Sequence, residues 1–173
     1  MLKWKVLSVA AILLFSGVLA VSQNDKANWD PWKIVMGDWT GAGGGDPGKG
    51  SGGFSFTPDL QGSVLVRKSH SEYPATEGRP ATVHDDLMIV YMEQGRTRAI
   101  YFDNEGHVIN YTPSFSPDGK TLTLVSDPSP NTPMFRLTYA SAGPDVLRIN
   151  FEIAQPGSTT FKSYVGGVVH HIK

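Results

Sequence analysis

Residues 84–111, HDDLMIVYMEQGRTRAIYFDNEGHVINY, decide how this chain folds. An apolar run over 87–92 stops at Glu93-Gln94-Gly95, a second over 97–102 stops at Asp103-Asn104-Glu105-Gly106, and a third follows to Tyr111. A helix would not survive two such interruptions, whereas acidic and amide side chains with glycine suit the backbone of a tight hairpin turn. The runs are rich in Ile, Val, Tyr and Phe, which fit a pleated surface. The stretch therefore reads as three antiparallel strands in a meander.

The same rhythm extends in both directions. Strands are expected at residues 37–41, 54–56, 63–69, 120–126, 134–139, 146–153 and 160–170, parted by Pro58-Asp59, Ser116-Pro117-Asp118-Gly119, Gly143-Pro144-Asp145 and Pro156-Gly157. About ten strands at this spacing imply an all-β sandwich or barrel, and the short connections favour up-and-down order in a closed antiparallel barrel. Leu147, Ile149, Phe151 and Ile153 alternate with Arg148, Asn150 and Glu152, so that strand has a dry face and a wet one. Phe135, Leu137 and Tyr139 alternate with Arg136 and Thr138 in the same way. Residues 87–92 are apolar on both faces, which predicts a cover over the outer side, either a short N-terminal helix or the partner subunit of a homodimer.

At 173 residues and 40% hydrophobic content the chain buries one ordinary core. Lys3 and Lys5 precede an apolar run over 6–21 that ends in Ala20-Val21-Ser22, the three regions of a secretory signal. Residues 1–22 are thus expected to be a signal peptide, residues 23–173 a single domain, and the protein secreted or periplasmic. An uncleaved membrane anchor is the alternative reading. The leader holds two lysines and no acid, so its removal moves the net charge from −1 to −3. That charge, with cations scattered singly among acids, argues against nucleic acid as a partner. The chain has no cysteine, which excludes a disulfide framework and a thiolate metal site.

Behind the leader, Asp30-Pro31 reads as an N-cap and first helical position for a short helix over 31–36. Trp29, Trp32, Ile34 and Val35 give it an apolar side, and it should cover one end of the sheet. In the glycine-rich stretch 41–53, GAGGGDPGKGSGG, Gly43, Gly48 and Lys49 have the spacing of a phosphate loop. Gly50 stands where a magnesium-binding Ser or Thr belongs, and a strand follows in place of a helix. The stretch reads instead as a flexible or sharply bent connection.

None of the histidines at 70, 84, 107, 170 and 171 has the spacing of a metal site by itself. His84 and Asp86 share one face of a strand and could form a metal or acid–base pair, although polar residues at a strand entrance are the commoner case. Asp103-Asn104-Glu105-Gly106 lacks the ligand alternation of a calcium loop and suffices as a hairpin turn. No serine sits in a nucleophile elbow. Large amphipathic side chains remain as candidates for lining a ligand pocket: Trp39, Tyr91, Tyr101, His107, Tyr111 and Tyr139, with Arg67 as a charge. Core packing alone would account for the same residues.

Gly37-x-Trp39-x-Gly41-x-Gly43-x-Gly45 resembles the N-terminal signature of the nitrobindin-type haem-binding barrels, within the lipocalin and fatty-acid-binding-protein (calycin) superfamily. Gly53-Phe54-Ser55-Phe56, Leu65-Val66-Arg67, Glu72-Tyr73-Pro74, His84-Asp85-Asp86-Leu87-Met88 and Tyr101-Phe102-Asp103-x-x-Gly106-His107-Val108-Ile109 are similar to an uncharacterised group of secreted bacterial calycin-like proteins. The resemblance implies a closed barrel of about ten strands with an N-terminal helix at one end. Two features depart from the nitrobindin pattern. Asp46-Pro47-Gly48 stands where a Tyr-Pro segment belongs, and the iron-binding histidine early in the last strand falls at Ser163 or Tyr164. A tyrosinate can ligate haem iron, so haem ranks second. The first expectation is a lumen for a small hydrophobic or amphipathic ligand, with no cofactor, no metal and no covalent catalysis. The third is a hydrolase or isomerase around His84, Asp86 and Arg67.

Overall fold

The computed structural model describes residues 27–45 and 48–173. The expected signal peptide, residues 1–22, lies outside the described residues, as do Asp46 and Pro47. Ten strands follow one another: β1 (Gly37–Gly45), β2 (Gly50–Asp59), β3 (Val64–Tyr73), β4 (Thr82–Glu93), β5 (Arg96–Asp103), β6 (Val108–Phe115), β7 (Thr121–Ser126), β8 (Met134–Gly143), β9 (Val146–Ala154) and β10 (Lys162–Ile172). Each pairs antiparallel with its neighbour in sequence, and β1 closes onto β10, so the sheet is an up-and-down barrel without a free edge. The meander is β4–β5–β6, and Gln94 and Gly95 (φ 50° and 76°) form the two-residue turn between its first two strands.

The glycine-rich stretch is a correction. Most of it is paired strand rather than connection: β1 runs against β10 from Asp38↔Ile172 to Gly45↔Val165, and against β2 from Gly37↔Phe56 to Gly43↔Gly50. At this seam the backbones approach so closely that a Cβ on Gly41 would strike the Val168 carbonyl, and one on Gly45 (φ +148°) the Tyr164 carbonyl. Glycine here brings the first and last strands together.

The end of the barrel where β1 begins is closed by the short helix, which is a single 3-10 turn, Asp30–Ile34. Trp29, with no side-chain cap, occupies the N-cap position expected for Asp30, whose carboxylate instead pairs with Lys33 at 2.7 Å. Trp32 is fully buried, edge-on to Phe115 at 5.5 Å and near Phe56 at 5.9 Å between ring centroids. Trp29 Nε1 donates to the Gly62 carbonyl at 2.7 Å, and Trp39 Nε1 donates to the Val35 carbonyl at 3.0 Å. The helix therefore packs on the barrel end and not over residues 87–92. Met88 and Val90 face inward and are fully buried. On the outer face Ile89 stands between Val66 and Ile100, so cross-strand apolar neighbours half-cover this side.

The inward side chains fill the closed half solidly. Leu65, Met88, Val90, Leu122, Leu124 and Tyr139 are inaccessible to solvent, and Leu147 is nearly so. On β9 Leu147 is buried and Arg148 exposed, and Ile149, Phe151 and Ile153 face the lumen. Tyr139 OH is buried in this packing with no hydrogen-bond partner. An unpaired buried hydroxyl is a net cost, so Tyr139→Phe is expected to leave stability unchanged or to raise it by up to about 1 kcal/mol in urea unfolding. A loss larger than that would mean the phenol has a partner.

Candidate functional site: a two-faced lumen

Beyond this packed half the lumen widens into a cavity of about 670 Å³, open at the end carrying the turns after β1, β3, β5, β7 and β9. Its character follows from the strand order. In a closed ring of ten, β4 lies five strands from β9 in either direction, so the two face each other across the lumen.

The wall of β3, β4 and β5 is polar. Inward residues on β3 are Arg67, Ser69 and Ser71, and on β4 they are Asp86 and His84, in registers Ser69↔Asp86 and Ser71↔His84. On β5 they are Tyr101 and Asp103, with Asp103 opposite Asp86. Arg67 Nη1 donates to Asp86 Oδ1, and both side chains are almost wholly buried. His84 Nε2 lies 2.9 Å from Tyr101 OH, and His84 Nδ1 lies 3.1 Å from Glu105 Oε1. Tyr101 OH donates to Asp103 Oδ2 at 3.3 Å, and His107 Nδ1 meets the same oxygen at 2.8 Å. Asp103 Oδ1 also accepts from the backbone of Glu105 (3.0 Å) and of His107 (2.9 Å), so this carboxylate shapes the β5–β6 turn.

The opposite wall, β8 and β9, is hydrocarbon. Leu137, Ile149 and Ile153 face the cavity, with Phe135 and Phe151 stacked at 5.8 Å and 12° between ring planes. Between the two walls lies the glycine seam, where Gly41, Gly43, Gly52 and Gly167 leave the lumen wide.

Burial and charge act against each other in the polar wall. Burial draws the Arg67 guanidinium down, but Asp86 and the phenols of Tyr139, Tyr101 and Tyr111 more than offset it, and its pKa rises. Burial, reinforced by Asp86 and Asp103, pushes the Tyr101 phenol far above its usual range, and burial does the same to Tyr111. Both are neutral phenols at any ordinary pH. Burial also raises the Asp103 carboxyl, but donors from His107 and the turn backbone outweigh it and hold this acid below its usual value.

Of the candidates from the sequence, Arg67, Tyr101, Tyr111 and His107 stand on the cavity, His107 at its exposed rim. Trp39 and Tyr139 point inward but lie in the packed half below it. Tyr91 is on the outer face, because the inward residues of β4 are His84, Asp86, Met88 and Val90. Reasoning from sequence missed Ser69, Ser71, Asp103 and Glu105. The i, i+2 spacing of Ser69 and Ser71 from Arg67, and of Asp103 from Tyr101, was the available signal. Among the described residues no group of His, Asp and Glu converges in a way that could hold a metal ion.

No protein-family model matches the sequence, and no curated protein matches it. A solved structure does: Rv2717c from M. tuberculosis superposes with a TM-score of 0.58 at 13% identity, over 84% of this chain and 97% of that one. At that identity the likeness concerns the fold.

Proposed function

We propose that this protein is a calycin-like binding barrel, acting outside the cytoplasm, that holds one small amphipathic molecule in its lumen and does no covalent chemistry on it. The observation that carries this reading is the cavity of about 670 Å³ with one apolar and one polar wall. Its size falls among sites for small ligands, which run from about 300 to about 1,000 Å³ and are mostly apolar with a few placed polar groups.

Two competing readings have less support. Haem needs an axial ligand aimed at its iron, and both ring nitrogens of His84 already have partners, Tyr101 and Glu105. Tyr164, at the position implied for the iron ligand, packs edge-on against Phe151 at the rim, so the residues present fit haem poorly. A hydrolase or isomerase would need a free acid–base pair, and Asp86 is engaged by Arg67.

Nile red, an uncharged dye that brightens in apolar surroundings, is expected to bind the mature barrel one to one. Ile149→Trp, which fills the lumen from its apolar wall, should weaken that binding by about tenfold or more while leaving the far-UV spectrum intact. Equal binding by both proteins would place the dye outside the lumen and overturn the reading.

A further inference from the structure

The polar wall is longer than a head group requires. From Arg67 to Ser71 the inward positions of β3 climb through two successive levels, roughly 13 Å at the rise of a strand. Asp86 and then His84 accompany them on β4, and Asp103 follows Tyr101 on β5. The hydrocarbon wall is equally long, since Ile149, Phe151 and Ile153 are successive inward positions on β9. Polarity therefore divides this lumen lengthwise, from side to side, and not from floor to mouth.

A straight-chain amphiphile suits neither orientation. With its head at the mouth, the tail would lie against Arg67 and Asp86; with its head at the floor, the tail would lie against His84 and Asp103. Either way several polar groups would be stripped of water against hydrocarbon with their remaining lone pairs and protons unmet, which is costly. The contacts within the wall also carry information, because its ionisable groups already engage one another. Arg67 faces Asp86, His107 faces Asp103, and His84 faces Glu105. Arg67 is thus not a spare cation waiting for a carboxylate, and the Asp103 and Glu105 carboxylates already meet the rings of His107 and His84. What the wall offers is hydroxyls and the remaining lone pairs and protons of groups already engaged with one another.

Resting on the lumen-binding reading above, we propose that the ligand is a rigid, uncharged, facially amphipathic molecule. Its hydroxyl or carbonyl groups lie along one long edge and meet β3–β5, and its other edge is hydrocarbon and meets β8–β9. A fused-ring lipid alcohol with several oxygens on one face has this chemistry.

The test is displacement of Nile red from the mature protein by four competitors of similar apolar size. They are a neutral steroid triol with its hydroxyls on one face, a steroid with a single terminal hydroxyl, 1-hexadecanol and hexadecanoic acid. The triol is expected to compete about tenfold or more better than each of the others, with hexadecanoic acid no better than hexadecanol. Tyr101→Phe, a conservative loss of one hydroxyl, should narrow the triol's advantage over the mono-alcohol severalfold, whereas Phe151→Leu should weaken all four alike. If dye binds in the lumen but the straight chains or the acid displace it best, the facial proposal falls and the binding barrel stands. If no dye enters the lumen, both fall.

Discussion

Replacing Trp39 by alanine is expected to lower the unfolding free energy by about 3–5 kcal/mol, the range for truncating a core aromatic. The side chain is only 6% exposed, lies parallel to Phe54 at 6.2 Å, and meets the His171 ring at 4.8 Å. Its Nε1 also donates to the Val35 and Met36 carbonyls, at 3.0 and 3.3 Å, which ties the 3-10 turn to the start of β1. The substitution thus removes apolar contact and leaves one buried and one part-buried carbonyl short of a donor. Urea unfolding measures it: the midpoint should fall while the slope stays constant. An unchanged midpoint would mean that Trp39 does not hold the closed end together.

The second large effect is expected at the buried ion pair. Asp86→Leu leaves the Arg67 guanidinium buried without its counter-charge, and breaking such a pair from one side costs about 3–5 kcal/mol. Arg67→Met combined with Asp86→Leu replaces both charges by hydrocarbon and should recover much of that loss. The coupling between the two positions, read from the double-mutant cycle, is then large, the double variant being much less destabilised than the sum of the two single variants. If the single and double variants were equally destabilised, the two side chains would not be neutralising each other. Recovery of stability should not restore selection among ligands, since the double variant has lost two members of the polar wall.

The sequence carried the fold where local chemistry decides it. Two-residue turns and period-two alternation are properties of a few neighbouring residues, so the meander 84–111 and the inward face of β9 could be read directly. The seam of β1, β2 and β10 could not. Thirteen residues rich in glycine carry no alternation, and the need for glycine at 41 and 45 arises from backbone atoms of Val168 and Tyr164, far along the chain. The same distinction separates the site residues. Arg67, Tyr101 and Tyr111 could be singled out by residue type, but their inward parity is set by the pairing of β3, β5 and β6. Tyr91 sits in a run apolar on both sides, where composition gives no parity, although counting from His84 and Asp86 through Met88 to Val90 would have placed it outside. Trp39 and Tyr139 have inward parity, but their depth relative to the cavity depends on how far the packed half extends. The pairing of Arg67 with Asp86 was equally hidden, because the β3–β4 register that joins them is a tertiary fact.

The central claim is that this barrel encloses a usable lumen, and a high-resolution crystal structure of the mature protein grown with Nile red tests it most directly. The account predicts dye density inside the barrel, between Tyr101 on one wall and Phe151 on the other, with the Arg67–Asp86 pair intact beneath it. Side chains closing the interior to less than about 300 Å³, or dye bound only on the outer surface, would contradict the account and leave a purely structural barrel.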